Sequence, residues 1–364
     1  MNQTTVEPAG ATRSALNSDA LHQLVGQVVT DLGAAANGAL VILGDRLGIY
    51  ATLADVGPAT SHELAEKTGL DERHLREWLS AQAASGYVTY DSGRQVFSLT
   101  PEQAAIFADP DSPFAITGGF YSVSAVYHDE PLVAESFRTG SGVPWGEHHD
   151  CLFCGTERFF RPGYEANLCG SWIPALEGVH DKLKSGTTVA DIGCGHGAST
   201  LIMAKAFPNS KFYGFDIHRA SIAAATKHAR EQGVTNVEFR IATAKDFPGR
   251  NYGLVTIFDA LHDMGDPVGA ASQVRQSLHP DGTFMIVEPL AGDSLVENFH
   301  PVGRAYYCFS TMICTPSSLS QEVGLALGAQ AGEKRLSAVL SEAGFTRVRR
   351  ATETPFNMVL EARQ

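Results

Sequence analysis

His262 and Asp263 stand side by side in "IFDALHDMGDP", residues 257–267, directly after an apolar run that reads as a buried strand. An imidazole with an ordinary pKa of about 6.5 is largely neutral near pH 7, so it can take a proton from a hydroxyl such as a phenol of pKa about 10. The competing reading is structural: the pair caps the following helix, and Asp266 does similar work ahead of Pro267. A second stretch, "VADIGCGHGAST" over 189–200, runs from a strand into a glycine-rich turn and a helix. Gly193, Gly195 and Gly197 allow a tight turn and a backbone that can approach a ligand closely. Nineteen residues past Gly197, Asp216 ends the next strand, which suits a carboxylate accepting hydrogen bonds from a ribose diol. A third stretch, "HHDCLFC", offers His148, His149, Cys151 and Cys154, the ligand types of a zinc site. No second C-x-x-C pair accompanies it, so no metal is expected and reduced thiols near a substrate entrance are the alternative.

These residues need elements to hold them. From about 186 onward, "TTVADI", "KFYGFD", "NVEFRI", "GLVTIF" and "TFMIVE" alternate with helix-length segments, which argues a parallel α/β sheet. The last two strands, "FTRVRRA" and "PFNMVLEA", are joined too closely for a crossover and should pair antiparallel. The expected fold is therefore α/β: a Rossmann-like seven-stranded sheet, mostly parallel with its last strand antiparallel. Ligands of such sheets sit outside the carboxyl ends of the strands, where His262 and the glycine turn both fall.

The first third reads differently. Residues 14–56 are helical by the spacing of Leu16, Leu21, Leu24, Val25, Val28 and Leu32. "NGALVILGDRLGIYATL" is apolar on nearly every face, so a homodimer through the N-terminal helices is expected. A short helix capped by Ser61 and ending at Gly69, a second capped by Asp71, and a hairpin around Asp91-Ser92-Gly93 form a winged helix. Between Asp45 and Thr100 five basic residues face eight acidic ones, and the would-be recognition helix opens on Asp71-Glu72. That surface opposes DNA binding, so a cofactor-sensing regulator is the weaker reading. The expected division is 1–110 for the helical, winged-helix dimerisation domain, 111–185 for a helical linker and substrate cap, and 186–364 for the cofactor domain.

The net charge of −13 opposes general affinity for nucleic acid or anionic membranes. A polar start without an apolar leader, no unbroken apolar run of about 18 residues, and six cysteines without export signals suggest a cytoplasmic protein.

Which nucleotide would bind? Gly193, Gly195 and Ala198 formally satisfy a nicotinamide-type G-x-G-x-x-A, which keeps an NAD-dependent oxidoreductase open. Asp191, two positions before the first glycine, is poor company for a pyrophosphate and good company for an ammonium, and no second nucleotide half is expected. D-x-G-x-G-x-G over Asp191–Gly197, the acid ending strand two and the terminal hairpin resemble class I S-adenosylmethionine-dependent methyltransferases. With a winged helix in front, the chain is similar to small-molecule O-methyltransferases of plant phenolics and bacterial aromatic polyketides. The resemblance implies S-adenosyl-L-methionine as cofactor, with Asp191, Gly193, Gly195 and Gly197 around its aminoacyl part. It also implies Asp216 and Ile217 at the ribose, Thr243 and Ala244 after strand three, and Asp259 after strand four. The family often has an acid beside the adenine, where this chain has Thr243. "LHDMGDP" is similar to the family's "LHDW", so the resemblance makes His262 the base, with Asp263 beside it and Glu288 orienting the ring. Met264 replaces the family's tryptophan. Tyr306, Tyr307, Phe309 and Met312, with Trp145, are candidates for the acceptor pocket. The expected partner is a small, largely apolar, aromatic acceptor methylated on oxygen; N- or S-methyl transfer without a base is the alternative.

Overall fold

The computed structural model describes residues 16–364. Residues 14 and 15 of the expected first helix, and the polar start, lie outside the described residues. The helix breaks at Leu47-Gly48 into α1 (Ser18–Arg46) and α2 (Ile49–Val56), because Gly48 takes a left-handed φ of 66°. Helices α3 (Ser61–Thr68) and α4 (Glu72–Ala84) and the hairpin of β1 (Thr89–Asp91) and β2 (Val96–Ser98) complete a winged helix. The cap of α3 is Thr60, not Ser61. Thr60 has Glu63 three residues on, so each side chain can bond the other's backbone N–H.

The core of this module is Val41, Ile49, Leu53, Leu64, Trp78 and Leu79. A buried polar chain crosses it: Tyr50 donates to Gln82 at 2.7 Å, and Gln82 donates to Asn37 at 2.7 Å. The half of α1 expected to meet a second subunit is thus largely spent inside the chain. Its first half instead exposes Leu21, Leu24, Val25, Val28, Val29 and Leu32. By length and composition α1 is apolar enough to cross a membrane, a property the unbroken-run test missed.

Helices α5 (Pro101–Phe107), α6 (Gly118–Thr139), α7 (Cys151–Asn167) and α8 (Val179–Ser185) connect this module to a sheet. Arg158 of α7 holds Asp45 of α1 with two 2.8 Å bonds, locking the two parts together. Strands β3 (Thr188–Ile192), β4 (Lys211–Asp216), β5 (Val237–Ile241), β6 (Tyr252–Phe258), β7 (Leu278–Pro289), β8 (Arg347–Glu353) and β9 (Asn357–Arg363) lie in the order β5-β4-β3-β6-β7-β9-β8. All pairs are parallel except those of β9 with β7 and β8. Helices α9 (Ala198–Ala206), α10 (Arg219–Glu231), α11 (Pro267–Ser277) and α14 (Gly332–Glu342) cover the sheet. Two further helices, α12 (Pro301–Phe309) and α13 (Thr315–Leu319), follow β7 and are joined by a π-turn over Ser310–Cys314.

Strand β6 is buried at all seven positions, which is why it reads as an unbroken apolar run. Strand order reverses between β3 and β6, so the crevice where ligands bind such sheets opens at their carboxyl ends.

Candidate active site

At that crevice lies a cavity of about 480 Å³, a size that suits a cofactor with a small acceptor. Its near wall is the glycine turn. A Cβ on Gly193, whose φ is 71°, would stand 3.0 Å from Ala260, and one on Gly197 would stand 2.6 Å from the Phe239 ring. Gly193 and Gly195 line the cavity, whereas Gly197 is the cap of α9 and packs against Phe239.

Asp191 does not line the cavity. Its buried carboxylate accepts from the hydroxyls of Ser199 and Thr200 at 2.8 and 2.6 Å, and from Thr256 at 2.9 Å. Burial pushes it up to about 6, and the three hydroxyls oppose that rise. The side chain therefore ties β3, α9 and β6 together behind the turn. Asp216 does reach the cavity, with one oxygen accepting from Gly195 N–H at 2.9 Å and the other from His218 N–H at 2.8 Å. Ile217, Thr243 and Ala244 continue the same wall. His196, in the turn, also lines the cavity and meets Glu157 of α7 at 2.9 Å.

Asp259 leaves β6 with a left-handed φ of 47°, a conformation that aspartate tolerates better than most residues. The turn aims its carboxylate into the cavity wall, where Tyr164 donates at 2.8 Å and Asn357 at 2.7 Å. Burial, and then the charge of Glu288, push Asp259 up to about 8, against those two bonds.

Three residues on, a single helical turn over Leu261–Asp263 carries His262. Its Nδ1 stands 2.5 Å from Glu288 Oε2, while the other Glu288 oxygen accepts from Leu261 N–H at 2.9 Å. Nε2 lies 3.2 Å from Asp263 Oδ1, which is buried without a well-formed hydrogen bond. Burial disfavours the charged ring, but the carboxylates of Asp263 and Glu288 outweigh it and hold His262 well above its ordinary range. Asp263 and Met264 line the cavity; His262 and Glu288 lie one layer deeper, 3 % and 1 % exposed.

Trp145 lines the cavity as expected, but Tyr306, Tyr307, Phe309 and Met312 do not. Tyr306 donates to the Phe356 carbonyl at 2.7 Å, and Phe309 and Met312 pack around Ala125, Leu152 and Ile313. Tyr307 is half-buried away from the cavity. The π-turn after α12 changes which face looks inward, so Ser317 and Gln321, farther along, supply that wall. The aromatic wall comes from α7, whose Phe153, Glu157, Phe160 and Tyr164 recur at four, three and four residues on one helix face. That spacing was the available signal in the sequence. The ligand types of 148–154 do not gather on one point: His148 turns to Asp129, and the Cys154 thiol faces the Cys151 carbonyl at 3.6 Å. Among the described residues, the His, Cys and acid donors that come within 4.8 Å of one another are His262, Asp263 and Cys314.

Residues 183–344 match a methyltransferase domain, and residues 35–108 match the Rv2258c-like winged HTH domain. The chain joins a methyltransferase domain to a winged-helix domain. S-adenosylmethionine is the cofactor of that domain type. The ubiquinone biosynthesis O-methyltransferase of Leptothrix cholodnii is 34% identical over 35% of this chain and 53% of its own length. The 2-methyl-6-phytyl-1,4-hydroquinone methyltransferase of Synechocystis is 27% identical over 48% and 56%. The chain thus spans about half the length of these curated relatives. In fold it is similar to human N-acetylserotonin methyltransferase solved with SAM, at TM-score 0.68 and 16% identity, covering 96% and 99% of the two chains. Mitomycin 7-O-methyltransferase gives 0.67 and 19%, covering 95% and 100%. Both likenesses extend through the winged helix, so the two-part architecture is shared.

Proposed function

We propose that the protein transfers a methyl group from S-adenosylmethionine to an oxygen of a small, largely apolar aromatic acceptor, with His262 as general base. The observation that carries this reading is one cavity running from the glycine turn and Asp216 to Asp263 and Met264, with His262 directly behind. S-adenosylmethionine supplies an electrophilic methyl group on a sulfonium. Gly193 and Gly195 offer backbone to its aminoacyl part, Asp216 and Ile217 its ribose site, and Thr243 and Ala244 its adenine edge. Asp191 acts behind them by fixing the turn. Asp259 gives the cationic end of the cofactor a carboxylate. His262 takes the acceptor's proton on Nε2 while Glu288 fixes Nδ1, and the two flanking carboxylates stabilise the imidazolium that results. Trp145, Phe153 and Phe160 supply an apolar, aromatic wall for the acceptor ring.

Asp259 offers the test. With its pKa near 8 it is mostly protonated at pH 7, and a cation beside it lowers that pKa and expels the proton. Calorimetry of S-adenosylmethionine binding at pH 7, in buffers of different ionisation enthalpy, should show release approaching one proton. The release should fade above the Asp259 pKa and vanish in Asp259→Asn. Binding of NAD in place of S-adenosylmethionine would overturn the reading.

The exposed stripe of Leu21, Leu24, Val25, Val28 and Leu32 follows three- and four-residue spacing along α1. A stripe of that kind is a surface for burial against a partner, and a second copy of α1 is our assignment. Light scattering should give roughly twice the 38.9 kDa chain mass. Leu24→Lys with Val28→Lys should reduce it to one chain; an unchanged mass in that variant would remove α1 from the interface. All six cysteines stand unpaired, which supports a reducing compartment such as the cytoplasm.

A further inference from the structure

We propose that Asp129, His148 and Ser317 form a second polar arm of the acceptor pocket, selecting aromatic diols whose second hydroxyl neighbours the one methylated. The inference rests on the reading that His262 marks the acceptor end of the cavity. Asp129 of α6 and His148 are buried, with side chains 3 % and 0 % exposed. His148 Nδ1 lies 2.9 Å from Asp129 Oδ2, and the same carboxylate accepts from His149 N–H at 3.0 Å and meets His128 Nδ1 at 3.0 Å. Burial works against its charge, but these donors hold Asp129 below its ordinary range. An ionised acceptor there commits the Nδ1 proton to Asp129 and leaves a lone pair on Nε2.

The polar atom in front of that lone pair is Ser317 Oγ, at 3.4 Å. Ser317 is fully buried by its neighbours yet lines the cavity, and its hydroxyl has no other hydrogen-bond partner among the described residues. If it donates toward His148, its own lone pairs are left to accept a proton donor from the cavity. A clamp between α6 and the 145–151 segment explains why Asp129 meets His148. It does not explain why Ser317, on the cavity wall, has His148 as its one hydroxyl partner among the described residues.

Position sets the acceptor class. Ser318 donates to the Met264 carbonyl at 2.8 Å and Gln321 to the Asp263 carbonyl at 2.9 Å, so α13 docks on the turn that carries His262. Cys314, whose sulfur lies within 4.8 Å of a His262 nitrogen, precedes Ser317 by three residues, about one helical turn. An acceptor with one oxygen at His262 and a second at Ser317 lies beside Trp145 and Phe153, whose rings meet edge to face at 5.6 Å.

The test titrates catechol and phenol into the full chain by calorimetry, with and without S-adenosylhomocysteine. Catechol should bind about tenfold more tightly than phenol, the worth of one well-placed hydrogen bond. Ser317→Ala should abolish the preference and Ser317→Thr, which keeps the hydroxyl, should retain it. His148→Gln should weaken it, and in the native chain catechol but not phenol should move the His148 ¹⁵Nε2 resonance. An undiminished preference in Ser317→Ala, or no binding of either probe, overturns the proposal. Failure of S-adenosylhomocysteine to bind would count against the methyl-transfer reading alone, because the diol preference is read in both states.

Discussion

Replacing His262 by alanine should slow methyl transfer on the order of 10²–10⁴-fold, while affinity for S-adenosylhomocysteine changes little. The asymmetry follows from position. His262 lies behind Asp263 at the acceptor end, whereas the turn, Asp216 and Thr243 form the opposite wall. The imidazole is also no ordinary histidine. Asp263 and Glu288 favour its protonated form, so the ring gains basicity toward a phenol. The same shift has a cost at low pH, because the base is active only when deprotonated. The rate should therefore keep rising with pH above the range of a free histidine, and Glu288→Gln should move that rise to lower pH. Glu288 carries one of the two charges that hold the His262 pKa up, which fixes the sign. Stopped-flow or mass-spectrometric rates across pH, on the native chain and both variants, check all three statements. Full activity in His262→Ala would leave proximity alone to do the chemistry, or an N- or S-methyl acceptor that needs no base.

The sheet was legible because its strands are long apolar runs separated by helix-length segments; β6, buried at every position, is the plainest case. The glycine turn was equally legible, since glycine at 193, 195 and 197 has few other reasons to recur. What one-dimensional spacing could not supply is the direction a side chain faces. Asp191 carries the right charge at the right place, yet three hydroxyls contributed by α9 and β6 claim it. Tyr306 and Phe309 have the composition of a pocket, but the π-turn at Ser310–Cys314 sends the inward face to Ser317. The expectation that residues 37–53 meet a second subunit fails for a related reason. The apolar half of α1 nearest Gly44 is consumed by Trp78 and Tyr50 of its own chain, leaving the amphipathic half exposed. His148 and Asp129 are nineteen residues apart and on different elements, so only the fold brings them together.

Asp216→Ala should cut affinity for S-adenosylmethionine at least about 100-fold, the largest single loss expected at the cofactor end. Two charge-assisted hydrogen bonds to a ribose diol are worth about 1.5–3 kcal/mol each, and each 1.4 kcal/mol is a tenfold change in affinity. The carboxylate does a second job that reinforces the first. It accepts from Gly195 N–H and from His218 N–H, so it fixes the turn on one side and the start of α10 on the other. Burial raises its pKa, and those two N–H groups restrain the rise. Asp216→Asn separates the two jobs. Its amide oxygen can accept one of the N–H groups, but its NH₂ must face the other, so the turn is strained even though the shape is kept. Affinity should then fall between native and Asp216→Ala, with circular dichroism and melting showing a folded chain in both. Native-like affinity in a folded Asp216→Ala would mean that the diol is held elsewhere, and would remove the β4 acid from the site.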